Sequence, residues 1–389
     1  MAETETAQRA SRGARPGLAL LAAVFLAMAV LLSACGGDDN GDAGEAAEEG
    51  EYVTASLVAT DPVDDVYRFS KNETSGEPFK KDPPWNVHFA QYASDLPILA
   101  FFKQELEEYA KNYPNIKLTT SDGELDPSKF IADIQAAITR GVDAIIIEPA
   151  DAQTAVPAVE QAAAAGIPVI AMQAELASTK VSSTVVASDI AAGRQQGEAM
   201  VEELKRRSDD GEAKGKLVIV NGLNGHQLTD EQNQGFKEVL GGHSGIEVVC
   251  DQYAEFQPSK AVEVLENCLQ ANPDADAAWY IGADVGPGLA AVAKRLGKDG
   301  ENFFFVGGGS NRQTLEVMKE EKGLIVYDYI YPGAALPTLE VVQRLLSGES
   351  VPKHVLINSP GITPDDVDAY LATGTPYAGW PRVLPEPWR

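Results

Sequence analysis

The sequence predicts an α/β fold: two doubly wound lobes, each on a parallel sheet buried on both faces. Three observations predict it. Short β-branched runs such as Ala144-Ile145-Ile146-Ile147 are entered from a glycine, Gly141, and left through Glu148-Pro149. Amphipathic stretches flank them: Phe130, Ile134, Ala137 and Ile138 recur at helical spacing upstream, and Val156, Val159 and Ala163 downstream. Apolar runs of strand length alternating with such helices mark a parallel sheet. The same unit then restarts near Lys216 and fills a second half of the chain. In such sheets ligands bind beyond the carboxyl ends of the strands, so Glu148-Pro149-Ala150-Asp151 is expected beside a cleft.

Taken in order, the chain opens with Arg9, Arg12 and Arg15 ahead of an apolar stretch, Leu18 to Leu32. That stretch of about 15 residues is short against the roughly 20 a membrane-spanning helix needs, so residues 1–34 read as an export signal. Leu32-Ser33-Ala34-Cys35 resembles the lipobox of bacterial lipoproteins. The resemblance implies that Cys35 is lipidated through its thiol, becomes the first mature residue and pins the protein to the outer face of the membrane. Residues 35–85 read as an acidic linker without periodicity, then an N-terminal extension over 52–84 whose apolar groups, Tyr67 and Phe69 among them, are expected against the domain surface with no role assigned. Within it, Asn72-Glu73-Thr74 matches a glycosylation sequon, which in this bacterial context reads as chance.

Folded elements are expected from Asn86 to Gln91, a strand whose following loop is Tyr92-Ala93-Ser94-Asp95-Leu96-Pro97. Pro97 opens a helix carrying Phe101, Phe102 and Leu106, with Asp95 placed to cap it. Ile116 to Thr119 is the second strand, and Asp126-Pro127 starts the second helix. Residues 143–148, Ile167 to Met172 and Val181 to Ala187 are the next three strands, and a long helix covers about 190–207. The second half repeats this with strands at Lys216 to Val220, Ile246 to Cys250, Ala277 to Ile281, Phe303 to Val306 and Leu324 to Ile330. A helix beginning at Pro332 follows.

Composition narrows the function. A formal net charge of −27 leaves no basic face to displace counterions from phosphates, so nucleic acid is not an expected partner. His88, His226, His243 and His354 lack metal-ligand spacing, and no cofactor is expected. With Cys35 lipidated, Cys250 and Cys268 remain as an even pair in an oxidising compartment. Either a structural disulfide or two separate buried thiols fits, and export favours the disulfide.

Arg140-Gly141-Val142-Asp143-Ala144-Ile145-Ile146-Ile147-Glu148-Pro149, Ala165-Gly166-Ile167-Pro168-Val169-Ile170 and Ala187-Ser188-Asp189 together resemble the periplasmic-binding-protein type I family, in its ribose- and galactose-binding branch. Gln234-Gly235-Phe236, Phe305-Val306-Gly307 and Ser347-Gly348-Glu349 support the match, which covers about residues 86–358. The resemblance implies two lobes joined by a three-segment hinge, with crossings near Ser188-Asp189, Ile330-Tyr331 and Asn358. The lobes would then be 86–188 plus 331–357, and 189–330 plus 358–389. It also implies a monomer whose cleft closes on one small polar ligand, delivered to the transmembrane subunits of an ABC permease. The sugar-clamping positions depart from the family. Gln173-Ala174 stands where Asp-Arg is frequent, and Asp230 and Gln232 stand where an arginine is usual. Ala283-Asp284 replaces Asn-Asp, Gly309 replaces an Asp, Ile330 replaces a Gln, and Ile98-Leu99 replace an aromatic pair. A sugar alcohol, a modified sugar or a non-sugar polar solute therefore stays open.

Each candidate ligand-binding residue carries a structural alternative. Tyr92 stacks on the ligand or fills its lobe. Ser94 and Asp95 lie in the first loop, Asp95 as acceptor or helix cap. Gln173 ends the fourth strand. Gln227 lies in a glycine-bracketed loop, and Asp230 binds or caps the next helix. Asp284 and Asn311 end two strands of the second half, each able to cap a helix instead. Tyr331 flanks the hinge, where packing is the default. Gly307-Gly308-Gly309 lacks the dinucleotide spacing and reads as room for close ligand approach. The acidic set Asp95, Asp230 and Asp284 favours a neutral polyol or a cationic ligand over an anion.

A solute-binding lipoprotein of an ABC importer is thus the leading expectation. A sensory protein of the same fold, signalling to a membrane receptor, is the alternative. A repressor core lacks its preceding helix-turn-helix and would not be exported. Enzyme chemistry lacks a G-x-S-x-G elbow, a metal cluster and a P-loop.

Overall fold

The β-branched and aromatic runs assemble into two mainly parallel sheets, described by a computed structural model over residues 60–62, 67–95, 97–282, 284–309, 311–358 and 361–372. The expected signal segment, Cys35 and the first part of the acidic linker lie outside the described residues. In chain order the first half contains β1 (Thr60–Pro62), β2 (Tyr67–Ser70), β3 (Glu73–Thr74), β4 (Trp85–Gln91), α1 (Pro97–Ala110), β5 (Ile116–Asp122), α2 (Pro127–Arg140), β6 (Ala144–Glu148), α3 (Val156–Ala164), β7 (Val169–Met172) and β8 (Ser183–Ala187). Then come α4 (Asp189–Arg207), β9 (Lys214–Asn221), α5 (Gln227–Leu240), β10 (Gly245–Tyr253), α6 (Pro258–Ala271), β11 (Ala277–Tyr280), α7 (Gly286–Arg295), β12 (Phe304–Gly308), α8 (Arg312–Glu320) and β13 (Ile325–Tyr329). The chain ends its described part with α9 (Ala335–Ser347), β14 (Val351–Pro352), β15 (His354–Ile357), β16 (Gly361–Ile362) and α10 (Val367–Leu371).

One sheet runs β1-β2-β15-β8-β7-β6-β4-β5 and the other β10-β9-β11-β12-β13-β16. The chain passes between them three times: after β8, after β13 and after β15. Helices cover both faces of each sheet, as the continuous apolar strands require. In the first, Val87, Phe89 and Ile146 pack with Phe102, Leu106 and Leu339 on one face, while Ile145 and Ile147 meet Phe130, Ile134 and Val159 on the other. In the second, Phe305 and Tyr280 join Leu265 and Leu289, and Trp279 and Phe304 join Phe236 and Met200.

Local chemistry sets the element ends. Asp126 accepts from the N–H groups of Ser128 at 2.8 Å and Lys129 at 3.3 Å, so α2 starts behind a side-chain cap with Pro127 in its first turn. Gly141 closes that helix in the left-handed conformation at φ 69°. His88 fastens β4 to β5 through Thr119 at 2.9 Å and Ser121 at 3.1 Å, and burial followed by Arg140 lowers it to about 4.

Residues 67–84, the part of the extension whose role the sequence leaves open, join the first sheet. β2 pairs antiparallel with β15, Tyr67 opposite Ile357, and β1 pairs with β2, so the extension is part of the first sheet. Its four-residue strand is too short to show a hydrophobic run, yet Tyr67 is buried in the first core and Phe69 packs against it. The sequon falls on β3, where Thr74 Oγ1 donates to the Ser182 carbonyl at 2.6 Å. Cys250 and Cys268 are bonded, with Cα atoms 5.9 Å apart, joining the outermost strand β10 to α6.

The two halves share a turn that the sequence also repeats. Asp122-Gly123-Glu124-Leu125-Asp126-Pro127-Ser128-Lys129 follows β5, and Tyr253-Ala254-Glu255-Phe256-Gln257-Pro258-Ser259-Lys260 follows β10. Glu124 and Leu125 take φ 55° and 62°, and Glu255 and Phe256 take 53° and 54°. Each turn carries a Lys–Glu ion pair, Lys129 with Glu124 at 3.7 Å and Lys260 with Glu255 at 2.5 Å.

Candidate functional site

At the carboxyl ends of the parallel strands the buried surface turns polar. Gln91 ends β4 and Glu148 ends β6, and both side chains are buried. Gln91 Nε2 donates to Glu148 Oε2 at 2.5 Å and to the Leu99 carbonyl at 2.8 Å. Burial pushes the Glu148 carboxyl up to about 8, although the Gln91 amide pulls the other way. Asp189 begins α4 directly after the first crossing, is buried and accepts from Gln232 Nε2 of α5 at 2.9 Å. Burial raises it well above the ordinary carboxylate range, and Glu231 and Glu175 add to the rise.

The segment after β13 draws these groups together. Gln173 stands just past β7 with a left-handed backbone at φ 64°, and its Nε2 donates to the Pro332 carbonyl at 2.9 Å. Tyr331 returns the contact, its hydroxyl donating to the Gln173 carbonyl at 3.3 Å. Burial, then the charges of Asp189, Tyr329, Glu148 and Glu231, raise the Tyr331 hydroxyl well above its usual range. Glu148 belongs to the first sheet and Glu231 to the second half's α5, so Tyr331 sits where the two halves meet.

Most hydrogen-bonding atoms left over here are acceptors. Gln91 Oε1, Glu148 Oε1, Gln173 Oε1 and Gln232 Oε1 are buried without a partner among the described residues, as is one donor, Gln196 Nε2. Buried polar groups are ordinarily satisfied, so this set is what a bound solute would complete. Among the described residues, no group of three His, Cys, Asp or Glu side chains is placed to hold a metal ion.

Of the sequence candidates, the structure brings two pairs together: Gln173 with Tyr331, and Asp284 with Asn311. Asn311 Nδ2 donates to Asp284 Oδ1 at 2.6 Å, while its Oδ1 caps α8 by accepting from Thr314 N at 2.9 Å. Asp284 is thus not the cap of α7, whose N-cap position is Val285. Tyr92 packs edge-on against Phe130 and donates to the Leu125 carbonyl at 3.1 Å, so its ring fills the first half. Ser94 bonds Asp122 through both its hydroxyl and its backbone N–H. Burial opposes ionisation of Asp122, but the Ser94 and Glu124 hydrogen bonds and Lys129 hold it below the usual carboxylate range. Asp95, Gln227 and Asp230 are exposed. Gln227 Nε2 is engaged with Glu231 at 2.9 Å. Asp230 is inside the first turn of α5 rather than ahead of it, because that helix starts at Gln227, which removes its capping role.

The triple glycine also has a different reason from the expected one. A Cβ on Gly307 would sit 2.3 Å from the Tyr280 ring, and one on Gly308 would sit 2.8 Å from Gln196 Nε2. The protein's own side chains fill that space. Asp189, Gln232 and Gln196 were the residues sequence reasoning undervalued. Glu148 at the end of an apolar strand was the one legible signal, since a lone acid there has to be buried.

Three comparisons fit this geometry. Residues 87–350 match the family model described as a periplasmic binding protein domain. The ribose import binding protein of Bacillus subtilis (strain 168) is 30% identical over 226 residues, 58% of this chain and 70% of that one. The xylitol-binding protein of Mycolicibacterium smegmatis is 28% identical over 276 residues, covering 69% of this chain and 74% of its own. Among solved structures, an ABC transporter solute binding protein from Bacillus halodurans with bound myo-inositol superposes with a TM-score of 0.65 at 26% identity, covering 75% of this chain and 99% of that chain.

Proposed function

The chain belongs to the periplasmic binding protein family, and on that premise we propose that it is the extracytoplasmic solute-binding lipoprotein of an ABC importer. It binds a sugar or sugar-like polar small molecule between its two sheets and delivers it to the permease. The observation that carries this reading is the set of buried acceptors on Gln91, Glu148, Gln173 and Gln232 that have no partner among the described residues, drawn from both halves, with Glu148 and Gln173 beside Tyr331. A solute that completed those bonds would be gripped from two sides and would hold the halves closed. The lobes that close are 86–188 plus 331–357 and 189–330 plus 358–389. Cys35 anchors the mature chain, so the solute is captured at the outer face of the membrane. The similarity to ribose- and xylitol-binding proteins supports a polyhydroxylated ligand.

The test is a thermal-shift screen of the full-length protein against pentoses, hexoses, pentitols and inositols. A ligand present at about 100 times its Kd should stabilise the protein by about 2.7 kcal/mol. A panel in which phosphates or carboxylates shift Tm and no sugar or polyol does would sink the reading. Labelled palmitate entering the wild type and absent from Cys35→Ala checks the anchor.

A further inference from the structure

Resting on the solute-binding reading above, we propose that the solute carries a basic nitrogen: a polyol-like molecule whose protonated amine seats against Glu148. Glu148 lies buried at the end of β6 with one oxygen taken by Gln91 and the other, Oε1, without a partner. Beside it, the Gln91 amide is fully buried, donates to Leu99 and Glu148, and keeps an Oε1 without a partner among the described residues. Asp189, across the first crossing, is a second buried acid and accepts the Gln232 amide.

Among the described residues, no cation acts on these acids. Glu148 feels Gln91, Asp189 feels Gln232, Glu231 and Glu175, and Tyr331 between them feels Asp189, Tyr329, Glu148 and Glu231. A buried carboxylate left without a counter-ion costs several kcal/mol, so it either keeps its proton or waits for a cation. The choice follows from the inventory of loose atoms. An ammonium brings three donors and no acceptor, whereas each hydroxyl brings lone pairs that need donors of their own. The two orphan atoms joined at this spot, Gln91 Oε1 and Glu148 Oε1, are both oxygens that can accept and match the ammonium. The protonation balance is definite: the amine arrives and stays protonated, Glu148 passes from acid to carboxylate, and its proton leaves to the buffer.

The test is isothermal titration of the full-length protein at pH 7 with matched pairs: inositol and amino-inositol, sorbitol and 1-amino-1-deoxysorbitol, galactose and galactosamine. The amine of the preferred pair should bind at least about tenfold more tightly, as a charge-assisted contact demands. Its binding heat should vary with the ionisation enthalpy of the buffer, reporting proton release. Glu148→Gln should cut the preference to under about threefold and abolish the release. Should that variant not fold, the wild type's own amine preference decides the inference, and its buffer dependence decides proton release. A neutral member that binds as tightly as its amine overturns the inference and leaves the polyol reading standing. If no member of any pair binds, both fall.

Discussion

In the first sheet, β15 is shielded on its outer side by β2 and then β1, through main-chain hydrogen bonds supplied by the N-terminal extension. In the second sheet the outermost strand is β10, whose Cys250 is bonded to Cys268 of α6. One half therefore secures its flank with extra strands and the other with a covalent link to the helix packed on it. The interiors differ as well. In the first half Ile, Val and Ala of β6, β7 and α3 fill one face of the sheet and Trp85, Phe89 and Phe102 lie on the other, while in the second Phe236 stacks on Trp279 at 3.9 Å on one face and Phe303 meets Phe305 edge-on on the other. The contrast teaches that two copies of one topology need not share a source of stability, so they should respond to different insults.

The largest test of that contrast is Trp279→Ala. Its ring is fully buried and its Nε1–H donates to Gln196 Oε1 at 2.8 Å. The variant should lose about 3–5 kcal/mol in urea unfolding, and an early transition confined to the second half is expected. A single cooperative loss from both halves would erase the distinction. Next in size, the double variant Cys250→Ser, Cys268→Ser should lose about 2–4 kcal/mol. Reductant should lower the wild-type Tm and leave the double variant unmoved, while deletion of residues 60–70 should weaken the protein with or without reductant.

A third test uses pH. Glu148 titrates at about 8 in the native chain against an ordinary 4.5. Below pH 4.5 both native and unfolded chains hold the proton and its contribution is whole. As pH rises toward 8, the unfolded chain ionises first and stability falls by about 1.4 kcal/mol per unit. The ligand-free Tm should therefore drop between pH 5 and 8, with a flatter profile in Glu148→Gln; identical profiles would remove Glu148 from the argument. The smallest effect compares two helix starts. Asp126 caps α2 with its side chain, whereas Gln257 at the same place before α6 makes no such bond. Asp126→Ala should cost about 1 kcal/mol, Gln257→Ala almost nothing, and Gln257→Asp should gain a few tenths.

How much of this was legible beforehand follows from range. Most strands and helices between Trp85 and Ser347 were readable because apolar runs and helical stripes are local signals, and so was Asp126 before Pro127, whereas β15 was not. Strand β2 was not, because Tyr67-Arg68-Phe69-Ser70 gains its place only from β15, nearly three hundred residues later. The site was legible as a location and poorly as a residue set. Asp284 and Asn311 were found as strand-end residues, but their mutual bond depends on how two loops meet. Asp189, Gln196 and Gln232 were passed over because a polar residue on a helix looks solvated until the partner helix is in place, and α4 and α5 bury all three.

The paired turns at Glu124-Leu125 and Glu255-Phe256 have a historical meaning. Residues with a Cβ avoid that left-handed shape, which costs about 1–2 kcal/mol each. The same awkward bend at matching points, with the same lysine reaching back to the same glutamate, is what a gene copied and fused to itself would leave behind. If so, residues 122–129 spliced in place of 253–260 should give a chain that still folds, an heirloom interchangeable between its two owners.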